Sequence, residues 1–464
     1  MRLSVRSPTS HDARWNDRRC GRGDRMTSMN RLRIVTAYVR SALWVVPFIA
    51  ILLELVLARL LHGLDGHLGW TLLGLGPAGA RAVLDATVTM TLSFLVFTFG
   101  SLLVAIQVAS GQLTPRIIAP TLLSNNVVRY TVGLFVFSMM FAISALNRIE
   151  GTVHQLVLFV AGCLAIASMA AFLYLIDYAA RLLRPISILT RVAETGLTVI
   201  EDVYPLPTYS GDATIAAPAK HGIPDRIVPH HGASQVILAV DLKQLIAAAR
   251  AVGGVVEFVP SVGDFIGKDE PLFALYGGAV AIKDHELDAT VRFGAERTME
   301  QDPMFSFRII IDIALRALSP AINDPTTAVL AIDQLNRLLR KVGKHHLSDL
   351  NVLDKSGRLR VILRTPNWED FVVLTFSEIR RCGANSFQVV RRLRAMILNL
   401  LETLPEHRHA ALQQQLTLLD REIGIHYSFP EDLKLARGSD SQGLGGIHDQ
   451  SIGASGATCC TSGS

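Results

Sequence analysis

Residues 83–107 read VLDATVTMTLSFLVFTFGSLLVAIQ. About 20 such residues, wound as a helix, cross roughly 30 Å of hydrocarbon. Inside a bilayer the backbone must satisfy its own hydrogen bonds, so a helix is the natural form of this run. Three more runs share its character: SALWVVPFIAILLELVLARLL at 41–61, and the stretches 127–147 and 153–177. The pattern predicts four transmembrane helices. The first run is too long for a cleavable signal, and no small-residue cleavage site follows it. Arg31, Arg33 and Arg40 precede the first span, and Arg181, Arg184 and Arg191 follow the fourth, whereas Arg81 stands alone in the loop after the first helix. Positive charge collects on the cytoplasmic side. Both termini are therefore expected in the cytoplasm, with 62–82 and 148–152 outside.

Composition agrees with that reading. The 464 residues are 50% hydrophobic and 18% charged, against about 25% charge in soluble domains. A wholly soluble, disordered or collagen-like chain is excluded. The net charge of +5 includes ten arginines in the first 40 residues, beside an apolar run. That placement speaks of topology, and no nucleic-acid reading motif accompanies it. Cys20, Cys163, Cys382, Cys459 and Cys460 form no CxxC pair and have no His at ligand spacing, so neither a disulfide framework nor a metal site is expected.

Within the second run, Thr87, Thr91, Phe94, Thr98, Ser101 and Ala105 recur at helical spacing and share one face. Small and hydroxyl side chains let helices approach closely. The same face would also line a water-filled path, which makes Thr87, Thr91, Thr98 and Ser101 pore-lining candidates. Glu54 joins them, because a carboxylate inside the first span costs about 2.5–3.5 kcal/mol and calls for a partner. A hydroxyl of the second span, His62 and Arg59 are the candidate partners. The run closes with Gln107-Val108-Ala109-Ser110-Gly111-Gln112-Leu113-Thr114-Pro115-Arg116. Gln107, Ser110, Gln112 and Arg116 are candidates for a cytoplasmic mouth, and a capped turn between two helices is the plainer alternative.

The remainder divides by composition. Residues 1–30 are Arg-rich and expected to be disordered, and 31–183 form the membrane domain. A Pro-rich connector follows at 184–233, then a small β module at 234–300. Val262 to Leu272 resembles the turn-and-strand half of lipoyl-type domains, but no Met-Lys-Met site is present, so no cofactor is expected. Residues 301–430 read as a helical domain with a β-hairpin at 349–363, and 431–464 as a disordered Gly/Ser tail. Asp302-Pro303 and Asp324-Pro325 each start a helix, because Asp caps free N–H groups and Pro at the first position loses no hydrogen bond. Helices are expected near 303–318, 325–342, 367–381, 385–404 and 406–424. Arg380, Arg381, Arg391, Arg392 and Arg394 form a basic cluster, read as a solvated face or as attraction to an anionic leaflet.

The run from Asp312 through Ser319-Pro320-Ala321-Ile322-Asn323-Asp324-Pro325 to Ala328, with Glu296-Arg297-Thr298 and Gln301-Asp302 before it, resembles the signature of a bacterial membrane-protein family, domain of unknown function 2254. The Gln107-to-Arg116 stretch is similar to that family's second motif, with Thr114 in place of Ser. The resemblance implies a four-span inner-membrane protein with a cytoplasmic domain, and it implies no activity. Around His230-His231 the chain departs from the family's pattern, and the lone pair has no further ligands.

Arg316, Ser319, Asn323 and Asp324 surround the turn between two helices and are hinge or ligand-contact candidates. The expected architecture is an α-helical membrane domain plus an α+β cytoplasmic domain. No catalytic motif is present, so no enzyme is expected. The reading favours an oligomeric channel or transport protein in the bacterial inner membrane. Its expected partners are the lipid bilayer, further copies of the chain, and ions or small solutes. The alternative is a membrane-anchored sensor or scaffold.

Overall fold

The computed structural model describes residues 44–68, 74–112, 126–149, 154–182, 184–204, 222–347, 350–354 and 356–445. The chain divides into two compact units, Met1–Ile106 with Arg116–Ala179, and Gln107–Pro115 with Ala180–Ser464.

The first unit holds helices α1 (Val45–Leu68) and α3 (Asn126–Leu146), with α2 (Pro77–Gln112) as far as Ile106 and α4 (Gln155–Leu182) as far as Ala179. Among the described residues, three segments are long and apolar enough to cross a membrane: Pro77–Gln107, Asn126–Leu146 and Gln155–Arg181. α1 is a further helix of 24 residues. Its buried edge repeats every four residues as Ala50, Glu54 and Ala58, while Phe48, Leu52, Leu55 and Val56 are exposed. That edge packs on α3, where a Cβ at Gly133 would lie 2.7 Å from Val46 Cγ1. Leu61 packs farther along, on a cluster that includes Phe141, Ala142 and Ala145. α1 and α3 therefore run parallel. α2 runs against α3, with Ala80 and Leu84 in that same cluster and Phe94 beside Phe135.

The second unit opens with a helix that the prolines conceal. α5 (Pro185–Val203) occupies the start of the stretch read as a connector. Pro185 sits at the first helical position, where it costs no hydrogen bond. Leu189, Val192, Ala193, Val199 and Ile200 make one buried stripe at the helical period.

A β module follows. One sheet has the order β1 (Arg226–Pro229), β5 (Pro271–Tyr276), β3 (Val255–Phe258), β8 (Leu359–Leu363), β7 (Leu350–Leu353). The other is β4 (Phe265–Ile266), β2 (Gln235–Val240), β6 (Val291–Gly294). α6 (Leu242–Val252) joins β2 to β3. The hairpin β7–β8, expected inside the helical part, instead extends the first sheet through a parallel pairing of β8 with β3. This pairing covers an edge of β3 that would otherwise expose unpaired N–H and C=O groups. Val240, Val256, Phe258, Ile266, Phe273, Leu275 and Val361 share one core.

The helical part holds α7 (Pro303–Ala317), α8 (Pro325–Val342), α9 (Trp368–Cys382), α10 (Phe387–Thr403) and α11 (His409–His426), close to the expected bounds. Asp302 accepts from Phe305 N–H, Asp324 accepts from Thr327 N–H, and Asn367 with Asp370 forms a reciprocal cap on α9. Order extends into the segment read as tail. α12 (Pro430–Ala436) forms, and beyond it Asp440 accepts from the N–H groups of Gln442, Gly443 and Gly445.

Candidate functional site

Glu54 is brought inward by the four-residue repeat of α1 and is only 3% exposed. Its Oε1 has no hydrogen-bond partner. Of the partners expected for it, Arg59 is exposed and the side chain of His62 lies outside the described residues. The hydroxyl face of α2 is also turned inward at Thr87, Thr91 and Thr98, while Ser101 is exposed. Thr87 Oγ1 donates to Val83 O at 2.8 Å and Thr91 Oγ1 to Thr87 O at 2.8 Å. Such bonds to the preceding turn satisfy a hydroxyl without a second helix. Ser101 donates to Thr98 O at 3.1 Å, whereas the buried Thr98 hydroxyl has no partner.

Aromatic rings fill the middle of that face. Phe94 stacks on Phe172 with centroids 4.2 Å apart and meets Phe135 at 5.8 Å. One turn away, Ser138 and Ser168 share a hydrogen bond of 2.9 Å, both buried. Their spacing in sequence gave no sign of that pair. Helical rise places the polar groups in layers, at about 1.5 Å per residue. Glu54 lies eight residues past Val46, which puts it level with Phe141. Thr87 lies seven residues before Phe94, which puts it at the same height. Thr91, Ser138 and Ser168 are within about a turn of that level. Thr98 and Thr131, also buried, share a level on the other side of the rings. A cluster of three rings thus lies between two levels of buried polar groups.

The cytoplasmic-mouth candidates fare differently. α2 continues through Ser110 to Gln112, so a helix occupies the stretch where a capped turn was one of the readings. Gln107 is exposed, the side chains of Ser110 and Gln112 are outside the described residues, and so is Arg116 altogether.

In the turn between α7 and α8, Ser319 and Asp324 bond within the turn and the first residues of α8. Ser319 Oγ donates to Arg316 O at 2.8 Å, and Asp324 Oδ2 accepts from Thr327 Oγ1 at 2.5 Å. Asn323 adopts φ +49°, a left-handed conformation that Asn tolerates. Nearby, Arg308 forks onto Glu378 at 2.6 and 3.1 Å and also reaches Asp312. Asp302 uses Oδ1 for its cap, while Oδ2 is buried without a partner against Gly263. Gly263 has φ +95°, and a Cβ there would lie 2.2 Å from that oxygen. Burial pushes the Asp302 carboxyl up to about 6, against the pull of Arg297 and the cap's N–H groups.

The basic cluster is largely neutralised from within. Arg380 pairs with Glu422 at 2.9 Å, Arg392 donates to Asp333 at 2.6 Å, and Arg394 pairs with Asp420. Arg381 alone of the five is exposed. His230 is buried, with Nε2 2.9 Å from Ala233 O and its ring on Phe293. Among the described residues no three His, Cys, Asp or Glu side chains gather as a metal site.

Residues 40–399 match the model of a family described as "Predicted membrane protein (DUF2254)". The chain belongs to this family. It is similar to an uncharacterized protein of Mycobacterium tuberculosis, 26% identical over 438 residues, which cover 89% of this chain and 82% of the relative. An uncharacterized protein of Mycobacterium bovis is similar to the same extent. No solved structure matches.

Proposed function

We propose that this DUF2254 protein is a bacterial inner-membrane transport protein that passes protons or small cations through the interior of each protomer. α1 is the fourth span in this reading, and both termini are cytoplasmic. The observation that carries it is the pair of buried polar layers closed off by Phe94, Phe135 and Phe172. A buried carboxyl in a membrane helix is expensive, and such groups usually serve ion or proton pathways. Apolar constrictions gate such paths by excluding water. The stripe on α2 then faces a path inside the protomer, and association of copies would serve assembly without forming the path. The C-terminal unit is the natural regulator.

Purified protein in liposomes, loaded with a pH-sensitive dye, tests the reading. Phe94→Ala is expected to raise flux and Glu54→Gln to abolish it, with both variants folded. Silent liposomes under applied potential and ion gradients, for wild type and Phe94→Ala alike, would sink it. The second reading, a membrane-anchored sensor or scaffold, draws on the C-terminal unit's own cores and internally paired arginines. It predicts that Glu54→Gln leaves cellular function intact.

A further inference from the structure

The start of α5 stands at the end of a membrane segment. α4 ends at Leu182 and α5 begins at Pro185. Hydrogen bonds close the elbow between them. Ser187 Oγ donates to Arg181 O at 3.0 Å, and the Arg184 N–H donates to the same carbonyl at 3.4 Å. The first turn of α5 is therefore held against the end of Gln155–Arg181, which is long and apolar enough to cross a bilayer. Ile186 continues the buried stripe of α5 at helical spacing, yet it is 38% exposed. The apolar stripe thus runs past the core of its unit at the end nearest α4.

Charge is sorted along the same helix. Arg184, Ile188, Arg191, Thr195, Thr198 and Asp202 recur at helical spacing and share the outward face. Arg184 and Arg191 are both exposed. Among the described residues neither has a carboxylate within ion-pair distance, whereas Arg308, Arg380, Arg392 and Arg394 each end on one. The acids follow later. Glu194, Glu201 and Asp202 are exposed, and Glu201 pairs with Lys341. At about 1.5 Å per residue, Arg191 lies about 10 Å along the helix from Arg184, and Asp202 about 27 Å. Side chains on a helix lean toward its N-terminus, which brings the Arg191 guanidinium closer to the elbow. The Debye length at physiological ionic strength is about 8 Å. A charged surface at the elbow therefore acts on the two arginines and is screened from Glu201 and Asp202.

We propose that the first two turns of α5 form a docking surface for the anionic headgroups of the phospholipid bilayer, with Arg184 and Arg191 as its cationic contacts. A guanidinium offers paired N–H donors that match phosphate oxygens. Each arginine near an anionic leaflet raises the affinity about fivefold. Continuity of the chain selects lipid as the occupant, because the elbow sits two residues from the membrane segment. The inference rests on α4 crossing the bilayer and not on transport.

The test uses the full-length protein in phosphatidylcholine nanodiscs and in matched discs that include phosphatidylglycerol. Backbone hydrogen exchange is followed over residues 185–195. Phosphatidylglycerol is expected to slow exchange about twentyfold. Salt at about 1 M, where the Debye length is about 3 Å, removes most of that protection. Arg184→Gln with Arg191→Gln loses the response to phosphatidylglycerol, each single change loses about fivefold of it, and Lys at both positions keeps most of it. Equal exchange of the wild type in the two lipids overturns the proposal, and is the result for arginines that meet only solvent or an acidic soluble partner. A response that survives in the double Gln variant also overturns it, because other basic residues then carry the effect. If the double variant exchanges faster even in phosphatidylcholine, the wild type alone decides: protection by phosphatidylglycerol that persists at about 1 M salt overturns the proposal, and protection that vanishes supports it.

Discussion

In the C-terminal unit, two buried cations are matched by carboxylates: Arg360 Nε lies 2.9 Å from Asp354 Oδ2, and Arg380 reaches Glu422 at the same distance. In the N-terminal unit, Glu54 Oε1 and Thr98 Oγ1 are buried with nothing to bond, and the hydroxyls of Thr87 and Thr91 fold back on their own helix. Water surrounds the unfolded chain of the C-terminal unit, so a buried charge there is kept only where a partner compensates its desolvation. A membrane helix meets apolar surroundings whether or not it is packed, so packing alone gives no reason to keep a carboxyl. An unpartnered polar group therefore marks function more strongly in the apolar helices than in the helical core.

The largest effect belongs to the conventional core. Phe371 is fully buried against Phe307 and Tyr204, with centroids at 5.1 and 6.4 Å. Phe371→Ala is expected to cost about 3–5 kcal/mol, read by denaturant unfolding of the protein in detergent. Glu54→Leu should do the opposite in the N-terminal unit. It removes a group that costs about 2.5–3.5 kcal/mol in hydrocarbon. The unfolding midpoint is expected to hold or rise while proteoliposome flux is lost. A fall comparable to that of Phe371→Ala would make Glu54 a structural residue and erase the contrast between the units.

Asp302 sharpens the comparison from the other side, because it is a poorly matched group within the matched unit. Its carboxyl titrates near 6 when folded, against 3.8 ordinarily. Between those values the folded chain holds a proton that the unfolded chain has released. Stability therefore falls as pH rises through that window, then levels above it, by about 3 kcal/mol at most. Asp302→Asn keeps a good helix cap and removes the charge. The expected outcome is a higher midpoint at pH 7.5 and a flatter profile between pH 4 and 6. A variant less stable than wild type at pH 7.5 would show that the charge is compensated.

The sequence made local devices legible and interhelical ones illegible. Asp302-Pro303 and Asp324-Pro325 announce their helices because cap and Pro act within one turn. Glu54 stands out because a carboxylate inside an apolar run needs no structure to be noticed. α5 was hidden by counting prolines without asking where each one falls, although its apolar residues keep the helical period. The pairing of β8 with β3 joins residues about a hundred apart, which no local pattern encodes. The Phe94–Phe135–Phe172 cluster depends on the register of three helices, and an isolated Phe in an apolar run reads only as apolar. Arg391, Arg392 and Arg394 read as a basic face because their partners, among them Asp333 and Asp420, come from other helices.

The smallest predicted effect probes the hydroxyl pair between α3 and α4. Ser138 and Ser168 are 2.9 Å apart and both buried. Hydrogen bonds between membrane helices contribute about 0.6 kcal/mol on average, because the separated helices also find partners. Ser138→Ala should therefore shift the midpoint hardly at all, and the double variant with Ser168→Ala should cost no more than either single change. If the pair belongs to the polar layer beside Glu54, flux falls in Ser138→Ala even though stability does not. If flux and stability both stay at wild-type values, the layer ends at Thr91 and the serine pair serves only to join two helices.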